Sequence, residues 1–171
     1  VQSSSLAVFG NGGDAVLDEH STPTGIGPRE MVTVCLAWEG AFRQASVGLE
    51  RTVLLRMGIG VGGRDDPATA KLAQLVRLGL GGCVGSGRQW VSWVGLDDLL
   101  AAMILAIDDD TMTGTYHVTS PNPVTNAEMM STYGEEGAMP SMFLDNGNLA
   151  LRALHPQPHQ GVCADAIASM E

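Results

Sequence analysis

Lysine is almost missing from this chain of 171 residues: Lys71 stands alone, and only 16% of the residues are charged. Nine basic side chains face nineteen acidic ones, for a formal net charge of −10. That balance leaves no electrostatic footprint for a nucleic-acid backbone or an anionic membrane surface. No apolar run approaches the roughly 18 residues of a membrane span, and the opening VQSSSLAVFG lacks the anatomy of a signal peptide. Cysteine is sparse too. Cys35, Cys83 and Cys163 are odd in number and show no CxxC spacing, which argues against a disulfide framework or a zinc site and for buried free thiols. His155 and His159 are four residues apart in HPQPH, but Pro156 and Pro158 forbid the helix that would align them, so no metal site is expected. The expectation is a soluble, cytoplasmic protein with no nucleic-acid or membrane partner.

Apolar residues make up 44% of the chain, enough to bury a core, and their periods alternate. Residues 1–10 read as a strand with Leu6, Val8 and Phe9 as its apolar part, followed by a loop over 11–28. Met31, Val34, Cys35, Trp38 and Phe42 recur at helical steps, which predicts an amphipathic helix with these residues inward. TVLLRM at 52–57 reads as a parallel strand buried on both faces. Asp66-Pro67 opens a second helix through Leu78, and GCVGSGRQWVSWV reads as loop and strand. A third helix over 97–107 turns Leu99, Leu100, Met103, Ile104 and Ile107 inward, and Asp108, Asp109 and Asp110 form a solvated turn after it. Residues 115–119 form a strand, and Thr125-x-x-Glu128 is a capping box for a fourth helix. The alternation predicts an α/β fold: a partial Rossmann-like parallel sheet with flanking helices. Two regions follow, 1–133 as the ordered α/β part and 134–171 as an irregular C-terminal segment.

Glycine is plentiful, with 22 residues, and two clusters stand out. GIGVGG at 58–63 matches G-x-G-x-x-G, but RDDP intervenes before any helix, and Asp65 and Asp66 would repel a pyrophosphate. A tight turn away from the sheet edge is the expected role. The second cluster, GLGGCVGSGRQW, allows close backbone approach to a ligand, or simply a turn feeding a half-buried strand.

Several segments taken together resemble a known group. VQSSSLAVFGNGGD, VCLAWE, LLRMGIGVG, VRLGLGG, GSGRQWVSWVGLDDL and SPNPVTNAEM stand in the order found in the second half of an atypical branch of the extended short-chain dehydrogenase/reductases. That branch is the NAD-dependent epimerase/dehydratase-like "epimerase family protein" group, and the resemblance covers residues 1 to about 130. It implies a Rossmann fold and NADP(H) as cofactor, with the GxxGxxG half of the family pattern missing from this sequence. By position, Ser4, Ser5, Arg56, Gly58 and Ile59 would lie nearest the nicotinamide. Arg88, Gln89, Trp90, Trp93 and Asp97 would face the substrate cleft, with helix capping the alternative for Asp97.

The same resemblance bears on catalysis. The family's Tyr-x-x-x-Lys pair, in which the lysine lowers the tyrosine pKa for proton exchange, would fall on Met31 and Cys35. No catalytic residue is therefore assigned, and catalysis by this chain alone is not expected. The arginine that follows the glutamine in related epimerases is replaced by Val91. Two functions remain in view: part of an NADP(H)-binding epimerase-like oxidoreductase acting on a small molecule, or a non-catalytic α/β interaction domain. Either expects a homo-oligomer, or association with a missing N-terminal half across a bare sheet edge.

Overall fold

The apolar run at 52–57 becomes the central strand of a parallel sheet. A computed structural model describes residues 1–23, 29–62, 70, 71, 74, 78 and 85–136. In chain order its elements are β1 (Gln2–Ser5), α1 (Arg29–Ala45), β2 (Val53–Met57), β3 (Ile59–Val61), β4 (Trp90–Val91) and β5 (Trp93–Gly95). Then come α2 (Leu96–Asp108), β6 (Gly114–Val118), β7 (Val124–Thr125) and α3 (Asn126–Glu136). The main sheet has the order β1-β2-β6, all parallel, while β3 pairs parallel with β5 and β4 antiparallel with β7. The α/β architecture expected from the sequence is observed.

Each face of the sheet takes a different helix. Val53, Leu55 and Val118 pack with Val94, Ala102, Ala106 and Met112, so α2 and its flanks cover one face. Leu99 and Met103 pack against this core as expected, but Leu100, Ile104 and Ile107 are exposed, because the small Ala102 and Ala106 make the close contact. The C-terminal end of α2 is capped by Arg51. Its Nη1 donates to the carbonyls of Ala106 (2.8 Å) and Asp109 (3.1 Å), and its Nη2 to that of Ile107 (3.1 Å). A guanidinium there offsets the unfavourable carboxylates of residues 108–110 at the negative end of the helix dipole.

On the opposite face α1 buries Val32, Cys35 and Glu39; of the expected stripe Cys35 is buried and Phe42 half-buried. Met31, Val34 and Trp38 are exposed. Apolar counting places Trp38 inside, but the buried position belongs to Glu39, whose charge is met by partners on the sheet. The first strand is also shorter than expected. After Ser5 the chain turns into a 3-10 helix over Leu6–Phe9, because the Ser5 hydroxyl accepts the Ala7 N–H at its N-cap (3.1 Å). The capping box is present: the Thr125 N–H donates to the Glu128 carboxylate (2.7 Å) and the Glu128 N–H to the Thr125 hydroxyl (3.3 Å). The expected helix over 66–78 and segment 137–171 lie outside the described residues, apart from isolated positions of the former.

GIGVGG differs from its expected role as a turn, since Ile59–Val61 is a strand. Gly58 is the close approach. Its N–H donates to Val118 O (2.9 Å), and the next N–H, of Ile59, donates to Ser92 O (2.9 Å). A Cβ on Gly58 would sit 2.9 Å from Ser92 O, a backbone atom that cannot swing aside. Gly58→Ala should therefore cost about 1–3 kcal/mol by forcing apart the two backbones. Urea denaturation checks this, and an unchanged midpoint would contradict it.

Candidate functional site

Parallel register lines up Ser4, Arg56 and His117 side by side across β1, β2 and β6. All three are buried, beneath α1. Glu39 descends from that helix, fully buried, and its carboxylate joins Ser4 and Arg56. Oε1 accepts from the Ser4 hydroxyl (2.9 Å) and from Arg56 Nε (2.9 Å). Oε2 accepts from Arg56 Nη2 (2.9 Å) and from Arg43 Nη2 (2.7 Å). The Arg56 contact is bidentate, the geometry that best compensates desolvation of both charges. Burial would raise the Glu39 pKa, but the hydrogen bonds from Arg56 and Ser4, with the charges of Arg56 and Arg43, hold it below the usual range.

Phe9 connects this network to a cavity. The Arg56 guanidinium lies 5.1 Å over its ring, and the His117 ring meets it edge-on at 5.4 Å and 72°. On its other side Phe9 lines a cavity of about 670 Å³ at the C-terminal ends of β1 and β2. Open parallel sheets bind ligands at this place, beyond the carboxyl ends of their strands. Ser5, Met57, Gly58 and Ile59 form its floor, the loop over 10–17 one wall, and Trp90 to Ser92 another. Two bonds pin that loop and the segment that follows it. The Trp90 indole N–H donates to Asp14 (2.8 Å), and the His117 backbone N–H donates to the Glu19 carboxylate (2.9 Å).

Of the residues expected near the nicotinamide, Ser5, Gly58 and Ile59 line the cavity. Ser4 and Arg56 sit behind it, bonded to Glu39. Of those expected at the substrate cleft, Trp90 lines it. Arg88 is exposed and outside the lining, while Gln89 is half-buried and its carbonyl accepts from the Asn126 N–H (2.9 Å). Trp93 is buried, donating its indole N–H to the Asn122 carbonyl (2.9 Å). Asp97 is exposed in the first turn of α2, one residue past Leu96, and the N-cap of that helix is Gly95, with no side-chain cap bond. Sequence patterns alone do not reveal Glu39, His117, Phe9, Asp14 or Glu19 as parts of this site. Two signals point towards the network: a lone arginine inside the apolar run TVLLRM, and a glutamate four residues after Cys35, in step with the inward face.

Met31 lines the cavity, and Cys35 lies one turn further along α1, buried. Burial, and then the nearby Glu39 charge, push the Cys35 thiol up, so it is held neutral. Among the described residues no group of three or more His, Cys, Asp or Glu is placed to hold a metal ion, and no helix is long and apolar enough to cross a membrane.

The chain is 35% identical over 148 residues to an epimerase family protein of Mycobacterium bovis, spanning 84% of this chain and 46% of that one. It is 33% identical to the chloroplastic epimerase family protein homolog of Arabidopsis thaliana, over 90% of this chain and 43% of the other. A solved nucleoside-diphosphate sugar epimerase from Corynebacterium glutamicum superposes with a TM-score of 0.65 at 32% identity, covering 83% of this chain and 30% of its own. The human epimerase family protein solved with NADPH gives a TM-score of 0.65 at 26% identity, over 81% and 47%. The chain thus spans less than half the length of these relatives. No family model matches it.

Burial lowers the His117 pKa to about 4, against the opposing pull of Glu19 and with help from Arg56. No described group bonds either ring nitrogen. The folded state resists a proton that the unfolded chain accepts at an ordinary histidine pKa, so this stability is fully present above about pH 6.5 and is lost as pH falls towards 4. The loss amounts to about 3 kcal/mol. Urea midpoints measured across that window should fall in the natural chain and fall less in His117→Gln. Parallel pH profiles for the two would contradict the assignment.

Proposed function

Since this chain is homologous to part of the epimerase family proteins, we propose that it forms the nicotinamide and substrate side of an NADP(H)-dependent epimerase-like oxidoreductase. The observation that supports this most is the cavity of about 670 Å³ at the strand ends, floored by Ser5, Gly58 and Ile59. Its size suits a flat ring with a small substrate beside it. The exposed apolar side chain of Ile59 fits the nicotinamide end of the cofactor. When bound, the nicotinamide supplies hydride transfer. The residues of this chain would orient the ring, exclude water and hold the substrate against it.

The pyrophosphate site and the proton-exchanging pair must then come from elsewhere. Position 31 offers a thioether and position 35 a neutral thiol, so neither donates nor relays a proton as tyrosine and lysine do. We assign the pyrophosphate site to the N-terminal half of the family pattern; proton exchange, whose family positions fall on Met31 and Cys35 here, needs a group from a second polypeptide. The β1 strand, paired only with β2 in the described sheet, and the exposed Val34 and Trp38 of α1 are the surfaces such a partner would cover. The same surfaces favour the second reading, a non-catalytic domain that self-associates there.

Titration with NADPH, read by nucleotide fluorescence, separates the two. The cofactor reading expects saturable binding in the micromolar to millimolar range, weakened by Ile59→Asp at an exposed lining position, with Met31→Tyr/Cys35→Lys gaining no activity without the other half. Self-association on native mass measurement with no NADPH binding would support the second reading and overturn the first.

A further inference from the structure

The lining of the cavity narrows the ligand class further, on the premise that this cavity is the substrate site. Val16, Met31, Ile59 and Trp90 come from four separate segments, and each is more than half exposed: 59%, 55%, 57% and 51%. All four face the same cavity. Exposed apolar side chains scattered singly over a surface mean little, but convergence on one concavity marks a place where apolar area is meant to be covered. Its polar side chains among the described lining, besides the Trp90 indole N–H, are Ser5, Asp14 and Ser92. Two of these each hold one bond within the protein. The Ser5 hydroxyl accepts the Ala7 N–H, and Asp14 accepts the Trp90 indole N–H across 76 residues of sequence.

We propose that the cavity takes an uncharged, flat and largely apolar molecule, not the sugar diphosphate suggested by the family's epimerase name. The Asp14 bond fixes the Trp90 indole at the rim, which presents a rigid aromatic face for stacking at little entropic cost. The same carboxylate sets a negative charge beside the entrance and disfavours a phosphate there. Sugar hydroxyls would lose their water to walls of Val16, Leu17, Met31 and Met57, which return no hydrogen bond. An apolar ring system loses nothing by the exchange and gains the burial of all four exposed side chains.

The test uses the full chain and two dyes of similar shape, the neutral N-phenylnaphthylamine and the anionic anilinonaphthalene sulfonate. The neutral dye should bind at one site with energy transfer from tryptophan, and millimolar UDP-glucose should not displace it. Val16→Glu and Ile59→Glu change surface positions that tolerate charge in the free protein, and each should weaken the neutral dye about tenfold or more. The anionic dye should bind more weakly than the neutral one, and Asp14→Asn should narrow the gap. Displacement by submillimolar UDP-glucose, equal binding of the two dyes, or indifference to both glutamate variants would each overturn the proposal. NADPH binding is read in its own channel. Its failure alongside intact dye selectivity would sink the cofactor reading and leave the ligand class standing.

Discussion

A carboxylate buried completely under a helix is the constraint around which this molecule is arranged. Glu39 is out of contact with water, and an ion in that position costs several kcal/mol unless its oxygens are filled. Four donors fill them, from Ser4 on β1, Arg56 on β2 and Arg43 on α1 itself. The helix therefore has one rotation at which it can pack on the sheet. That rotation turns Val32 and Cys35 inward with Glu39 and leaves Trp38 outside. It also fixes the register of β1 on β2, since Ser4 and Arg56 must stand opposite each other to share the same oxygen.

The arrangement extends from the core to the cavity through neighbours in sequence. Ser5 follows Ser4, and Met57 follows Arg56, so alternation along each strand sends one side chain to the ion network and the next towards the other face and the strand end. Phe9 is shared, lying under the Arg56 guanidinium and forming part of the cavity wall. His117 completes the row and, through its backbone N–H, holds Glu19 of the loop that closes the site. A ligand at the strand ends thus rests on groups whose positions are set by a charge one layer below.

Much of the fold is legible in the chain. Buried parallel strands announce themselves as continuous apolar runs, which is why TVLLRM is a strand in both sequence and structure, and the Thr125–Glu128 box marks its helix by local chemistry alone. The inner face of α1 is not legible, because hydrophobic periodicity counts Trp38 as core and Glu39 as surface. Only a partner 17 residues away in sequence, Arg56, reverses that order. The first strand ends sooner than its pattern suggests for a similar reason, since Leu6, Val8 and Phe9 are apolar in either conformation and the Ser5 cap decides between them. At the cavity, Ser5, Gly58, Ile59 and Trp90 emerge through family resemblance, while Asp14 and Glu19 do not. Their roles arise from contacts spanning 76 and 98 residues, which no local pattern encodes.

The claim that one buried ion pair organises the sheet, the helix and the cavity behind them is tested most directly by a double-mutant cycle. Folding free energies are measured for the natural chain, Glu39→Gln, Arg56→Met and the double variant. Each single change leaves a buried polar group without its partner and should cost about 3–5 kcal/mol. The double variant should be more stable than the sum of the singles predicts, by about 2 kcal/mol or more. Additivity within about 0.5 kcal/mol would show that Glu39 and Arg56 act independently, and would contradict the organising role of their ion pair.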